Sequence, residues 1–115
     1  MNSQPRFLQG TYSFEGEGLD RHAPLDGELT YTVPANRRAQ LVYFRGGNSS
    51  DEMISVALVR DGAPMRLFPI GAKGDTHVAL RVVEDLAPDT RLDVHVAAPP
   101  STTGHVVVDI GIVET

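Results

Sequence analysis

The sequence predicts an all-β fold, an antiparallel two-sheet sandwich of the jelly-roll type with about eight strands. Three observations carry that prediction. Apolar and polar residues alternate at period two, most clearly over residues 105–112, where Val106, Val108, Ile110 and Ile112 share one face. Gly, Pro, Asn and Asp break the alternation at short intervals, the spacing of short strands joined by turns. A helical turn is plausible only across residues 84–89, and even there an irregular connection serves equally well.

The first strand is expected over residues 7–14, ending at Glu15-Gly16-Glu17-Gly18. A loop over 19–26 follows, and the second strand spans 28–33 with Leu29, Tyr31 and Val33 inward against Glu28, Thr30 and Thr32. Pro34-Ala35-Asn36 turns the chain into a third strand over 38–45. That strand is apolar on both faces, Ala39, Leu41 and Tyr43 opposing Gln40, Val42 and Phe44, so it is expected at the centre of a sheet and covered on both sides. Gly46-Gly47-Asn48-Ser49-Ser50-Asp51-Glu52 reads as a loop. Strands over 53–60 and 63–70 flank Asp61-Gly62, a dipeptide suited to a tight hairpin because both residues tolerate positive φ. Strands over 75–83, 91–97 and 105–113 complete the set. In the jelly-roll order, strands one, eight, three and six form one sheet, and two, seven, four and five the other. The expected core is Leu29, Tyr31, Val33, Ile54, Val56, Leu58, Val78, Leu80, Leu92, Val94, Val96, Val106, Val108, Ile110 and Ile112.

At 115 residues the chain reads as one domain, 1–115, able to close a single core. A net charge of −5 gives no footprint for nucleic acid, and the absence of Trp removes the usual stacking platforms. With no Cys, disulfides, zinc ribbons, iron–sulfur clusters and thiol nucleophiles are excluded. No apolar run reaches the length of a membrane span and the first residues lack a signal pattern, so the expected location is the cytoplasm. The Asn48-Ser49-Ser50 glycosylation tripeptide then carries no meaning.

Candidate chemistry is sparse. His77, His95 and His105 alternate with valines and should point outward, with His22 in a loop, and no metal-binding spacing links the four. Asp51 and Glu52, joined by Glu15, Glu17, Asp20 and Asp26 if both loops share one end of the sandwich, have the oxygen donors for a hard cation but also the composition of solvated turns. Ser49, Ser50, Ser101, Thr102 and Thr103 read as turn chemistry, with no nucleophile elbow. Gly71-Ala72-Lys73-Gly74 lacks the phosphate-loop spacing. Arg37, Arg38, Arg45, Arg60 and Arg66 fit either an anion site or solvated strand ends. No catalytic residue, metal site or cofactor is assigned.

The segment Tyr43-Phe44-Arg45-Gly46-Gly47-Asn48-Ser49-Ser50-Asp51-Glu52, with residues 60–66 and 83–86, resembles short bacterial proteins that carry a molybdopterin-oxidoreductase label. A chain this small, without Cys or a nucleotide-binding βαβ pattern, has no place for that cofactor, so the resemblance implies an accessory or neighbouring protein of a larger enzyme. It assigns no site residues.

The leading expectation is a non-catalytic interaction or assembly module that self-associates, as a dimer, through one sheet face. The face of strands one, eight, three and six is expected to expose Val107, Gly111, Val113, Ala79 and either Val42 with Phe44 or Leu41 with Tyr43, with His77, Arg81, His105 and Asp109 at the rim. The other face is expected to be polar, with Glu28, Thr30, Thr32, Ser55, Asp93 and His95. The alternative is a β-sandwich that binds carbohydrate or another small ligand.

Overall fold

The strongest alternation in the sequence becomes the longest ladder. In the computed structural model, which describes residues 3–25, 29–81 and 83–115, β1 (Gln4–Glu15) and β10 (Thr103–Glu114) pair antiparallel over 12 residues each without a register break. The other strands are β2 (Ala23–Pro24), β3 (Thr30–Thr32), β4 (Ala39–Asn48), β5 (Ile54–Arg60), β6 (Ala63–Ile70), β7 (Asp75–Ala79), β8 (Asp85–Leu86) and β9 (Arg91–Ala97). They build two antiparallel sheets. Sheet A runs β1-β10-β4-β7, with β8 also paired to β4; sheet B runs β2-β9-β5-β6, with β3 also paired to β9. This is the strand partition expected from the sequence, and the ladder-by-ladder order makes β4 an interior strand, as expected; the expected cover on both of its faces is not found, since Gln40 and Arg45 on β4 are exposed.

The extra strands are two short pieces in segments read as loops. Ala23–Pro24 pairs with β9, and Asp85–Leu86 pairs with β4 where a helical turn was conceivable. Gly46 and Gly47, read as the start of a loop, continue β4 instead. A Cβ at Gly46 would sit 2.7 Å from Ile70 Cδ1, so glycine lets β4 run on beneath the β6 side chains. The Asp61-Gly62 hairpin forms as expected, with φ of 48° and 86°. Asp26, Gly27 and Glu28, including the expected start of the second strand, lie outside the described residues, as does Val82.

Between the sheets sits one core. Val33, Ile54, Val56, Leu58, Leu92, Val94, Val96, Val106, Val108, Ile110 and Ile112 are buried in it, and Leu29, Tyr31, Val78 and Leu80 pack against it half-buried. Phe44 and Phe68 stack at its centre, ring centroids 4.1 Å apart and nearly parallel at 3°. Among the described residues no helix is long and apolar enough to cross a membrane.

Candidate functional site

Residues opposite one another in an antiparallel ladder share a face, so the registers of sheet A place three rows across its outer side. One row is Phe7–Gly111–Tyr43–Ala79, the next Gln9–Asp109–Arg45–His77, and the third Thr11–Val107–Gly47–Asp75. The middle row is polar on all four strands. Tyr43 leans into it from the first row, its ring lying over Gly111, where a Cβ would come within 2.1 Å of a ring carbon. Only glycine at 111 lets the aromatic ring lie down on the sheet.

Asp109 is the hub. One carboxylate oxygen, Oδ1, accepts a hydrogen bond from the Tyr43 hydroxyl at 3.0 Å and another from Gln9 Nε2 at 3.2 Å, and Oδ2 lies 3.7 Å from Arg45 Nη1. Burial, and then the bond to Asp109, push the Tyr43 phenol above its ordinary pKa, so the hydroxyl stays a donor through neutral pH. The His77 ring meets Tyr43 edge-on, centroids 6.4 Å apart at 87°. Beside this group lies a hollow of about 400 Å³, lined by Arg45, Asp75, Thr76, His77, Val107 and Asp109 and floored by Gly46 and Gly47. The glycines leave the floor open to the backbone, while the walls offer guanidinium, imidazole and carboxylate groups; the Thr76 hydroxyl is turned away and donates to the Pro69 carbonyl at 3.2 Å.

The face therefore differs from the contiguous apolar strip expected of it. Val107 is 51% exposed and Ala79 is exposed, but Gly111 is buried under Tyr43. Phe44 points the other way, fully buried against Phe68. The cause is a bulge. Between Gly111 and Ile112 the register shifts, Val42 is the extra residue, and Tyr43 rather than Phe44 takes the outer side. Val42 and Val113 are half-buried. His77 and Asp109, expected at the rim, stand in the central row. On sheet B the outer Thr30, Thr32, Ser55, Asp93 and His95 are exposed or half-buried, as expected; Glu28 lies outside the described residues.

A larger cleft of about 640 Å³ opens between the free edges of β1 and β2, with Glu15, Glu17, Arg21, His105, Pro24 and Ala97 among its walls. Among the described residues no ion pair joins its charged walls Glu15, Glu17, Arg21 and His105, whereas the polar groups on the sheet A face are bonded to one another through Asp109. Size favours the cleft and organisation favours the face, and organisation is what positions a ligand.

Elsewhere the loop residues have structural work. Asn48, at the end of β4, is 5% exposed. Its Nδ2 donates to the carbonyls of Glu52 at 2.8 Å, Gly71 at 3.1 Å and Ile70 at 3.4 Å, while Oδ1 accepts from the Ser50 amide and hydroxyl at 2.9 and 2.8 Å. Ser49 Oγ accepts from the His105 backbone amide at 2.8 Å. Asp51 faces solvent and pairs with Lys73 at 3.3 Å, and Arg60 and Arg66 converge on Glu84 at 3.0 and 3.6 Å. The loops that follow β1 and β4 do share one end of the sandwich, yet no three His, Asp or Glu among the described residues gather closely enough to hold a metal. Asp26 lies outside the described residues. Calcium is therefore expected to leave the melting temperature unchanged; a rise of several degrees that Asp51→Ala abolishes would overturn this expectation.

Sequence reading missed one buried acid. Glu114 is 1% exposed, accepts a short hydrogen bond from the Tyr31 hydroxyl across the sandwich, and lies 3.5 Å from Arg6 Nε. Burial, then the bond to Glu114, raise the Tyr31 phenol, which keeps its proton and closes this end of the core. The signal was present: 114 continues the inward phase of 106, 108, 110 and 112.

No family model matches the chain, and no curated protein matches it. Solved structures do. The chain is similar to the CBM36-1 domain of a multidomain xylanase from the hindgut metagenome of Trinervitermes trinervoides, at TM-score 0.59 and 14% identity over 96% of each chain. It is similar to a family 35 carbohydrate binding module from Clostridium thermocellum, at TM-score 0.51 and 12% identity over 95% of this chain and 97% of that one. A chain in the structure of infectious bursal disease virus, Gt strain, matches at TM-score 0.51 and 8% identity, over 97% of this chain and 32% of its own length. At such identities the likeness is one of fold, a β-sandwich of the jelly-roll kind.

Proposed function

We propose that this domain is a non-catalytic module that binds a polyhydroxylated ligand, a saccharide in the first instance, on the outer face of sheet A. The observation that carries the reading is the Tyr43 ring laid over Gly111 beside the row Gln9–Asp109–Arg45–His77. An aromatic surface flanked by fixed donors and acceptors suits a sugar, whose C–H faces pack on rings while its hydroxyls exchange hydrogen bonds. Two of the similar structures are described as a xylanase's CBM36-1 domain and a carbohydrate binding module, which supports the reading through the fold. The bonding of the loop serines supports the non-catalytic part: Ser49 and Ser50 bond backbone groups and Asn48, not an imidazole.

Titration calorimetry against a panel of soluble oligosaccharides tests this. At least one is expected to bind, and Tyr43→Ala should weaken it about tenfold, the loss of one ring contact worth roughly 1.4 kcal/mol. No heat from any oligosaccharide at millimolar concentration, or binding indifferent to Tyr43→Ala, would overturn the assignment.

A further inference from the structure

Among the described residues, every open edge of the two sheets but one is blunted. In sheet B, β6 carries Pro64 and Pro69 and its pairing with β5 breaks register between Leu58 and Val59, while β2 has two residues, one of them Pro24, and β3 has three. The far edge of sheet A is held by β7, five residues long, and the two-residue β8. These are the devices by which sheets avoid pairing with other chains: short strands, prolines and bulges. β1 has almost none of them. It is 12 residues long, about 40 Å at ~3.3 Å per residue, pairs only with β10 among the described residues, and keeps one register throughout. From Phe7 to Phe14 it bears no charge and no proline.

We propose that β1 is the dimerisation edge and that its partner is β1 of a second copy, paired antiparallel about a two-fold axis through Gly10. Such an axis keeps outer residues opposite outer residues, so Gln9 of one copy faces Thr11 of the other and Phe7 faces Ser13, with Leu8 opposite Tyr12 on the core side. The uncharged stretch is what allows self-pairing in a chain of net charge −5: no like charges oppose each other along it. This register leaves Pro5, which has no amide proton, at the rim opposite Glu15. Sheet A then continues from one copy into the next. The outer face of each copy stays open, on the same side of the joined sheet, whereas pairing through that face would bury Tyr43 and Asp109. The edge thus carries the self-association that the sequence suggested for the face, and it stands apart from the saccharide reading.

Light scattering and sedimentation on the full chain test the proposal. Wild type should run at twice the chain mass at high micromolar concentration. Gln9→Lys with Thr11→Lys sets lysines opposite lysines across the axis and should weaken the dimer about tenfold or more. Gln9→Lys with Thr11→Glu sets lysine opposite glutamate and should restore it. Val107→Glu, on the outer face, should leave the mass unchanged. A wild-type monomer, a dimer indifferent to the lysine pair, or a dimer that Val107→Glu dissociates would each overturn the assignment. Should the lysine variant fail to fold, hydrogen exchange on wild type decides: protection of the β1 amides between Phe7 and Phe14 should rise with concentration, and unchanged protection would overturn it.

Discussion

Phe44→Ala should destabilise the fold by about 3–5 kcal/mol, roughly a fifth or more of the ~5–15 kcal/mol that holds a domain of this size together. The side chain is fully buried and stacks on Phe68 with centroids 4.1 Å apart, so its removal forfeits both transfer free energy and a ring contact. The surroundings cannot collapse into the space. Gly46 beside it has no side chain to shift inward, and Ile70 already fills the room above that glycine. Urea unfolding followed by far-UV circular dichroism should show a lower midpoint at unchanged slope, and Phe44→Leu should recover part of the loss. A cost below about 1 kcal/mol would mean that Phe44 does not occupy the core. The same variant separates the two placements that the sequence permits, since an outward Phe44 would change assembly rather than stability.

That ambiguity shows where sequence reading ended. Strand order was accessible because β10 alternates without fault and β4 is apolar on both sides, which together demand a central pair of strands. The two-sided pattern of β4 is also why its facing was not: Leu41, Val42, Tyr43 and Phe44 satisfy either phase, and a one-residue bulge at Val42 reverses the phase within the strand. Once Tyr43 turns outward, the site follows from cross-strand neighbours, and those are set by register rather than by spacing along the chain. Gln9, Asp109, Arg45 and His77 stand up to 100 residues apart in sequence and in one row across the sheet. Gly111 was legible as a gap in an alternating strand, but its purpose is visible only with Tyr43 lying in the gap. Glycine-rich Gly46-Gly47 misled in the opposite sense, because close packing under Ile70 calls for the same residue as a turn does.

Asn48→Asp is expected to cost about 3 kcal/mol or more at neutral pH, although it changes one group of near-identical size. In the native protein the Nδ2 group faces three carbonyl oxygens, of Glu52, Gly71 and Ile70, and binds β4, the β4–β5 loop and the end of β6 together. Oδ1 accepts from the Ser50 amide, which fixes the orientation of the side chain because that amide can only donate. Aspartate would keep the Ser50 bonds and set its second oxygen, carrying negative charge, against the three carbonyls with no donor between them. Protonation relieves part of that repulsion, so burial and the carbonyl dipoles should raise the folded-state pKa of the new carboxyl above the ~3.9 of an unfolded chain. A raised folded pKa contributes stability below the unfolded value that is lost as pH rises through the folded one. The gap between variant and wild type should therefore be smallest near pH ~4 and widen toward pH ~7, where Asn48→Ala, which loses the bonds without adding a charge, should cost less than Asn48→Asp. Thermal melts of the three proteins across this range give the result directly. A gap that does not change with pH, or an alanine variant weaker than the aspartate one, would mean that the carbonyl cluster does not hold the amide as described.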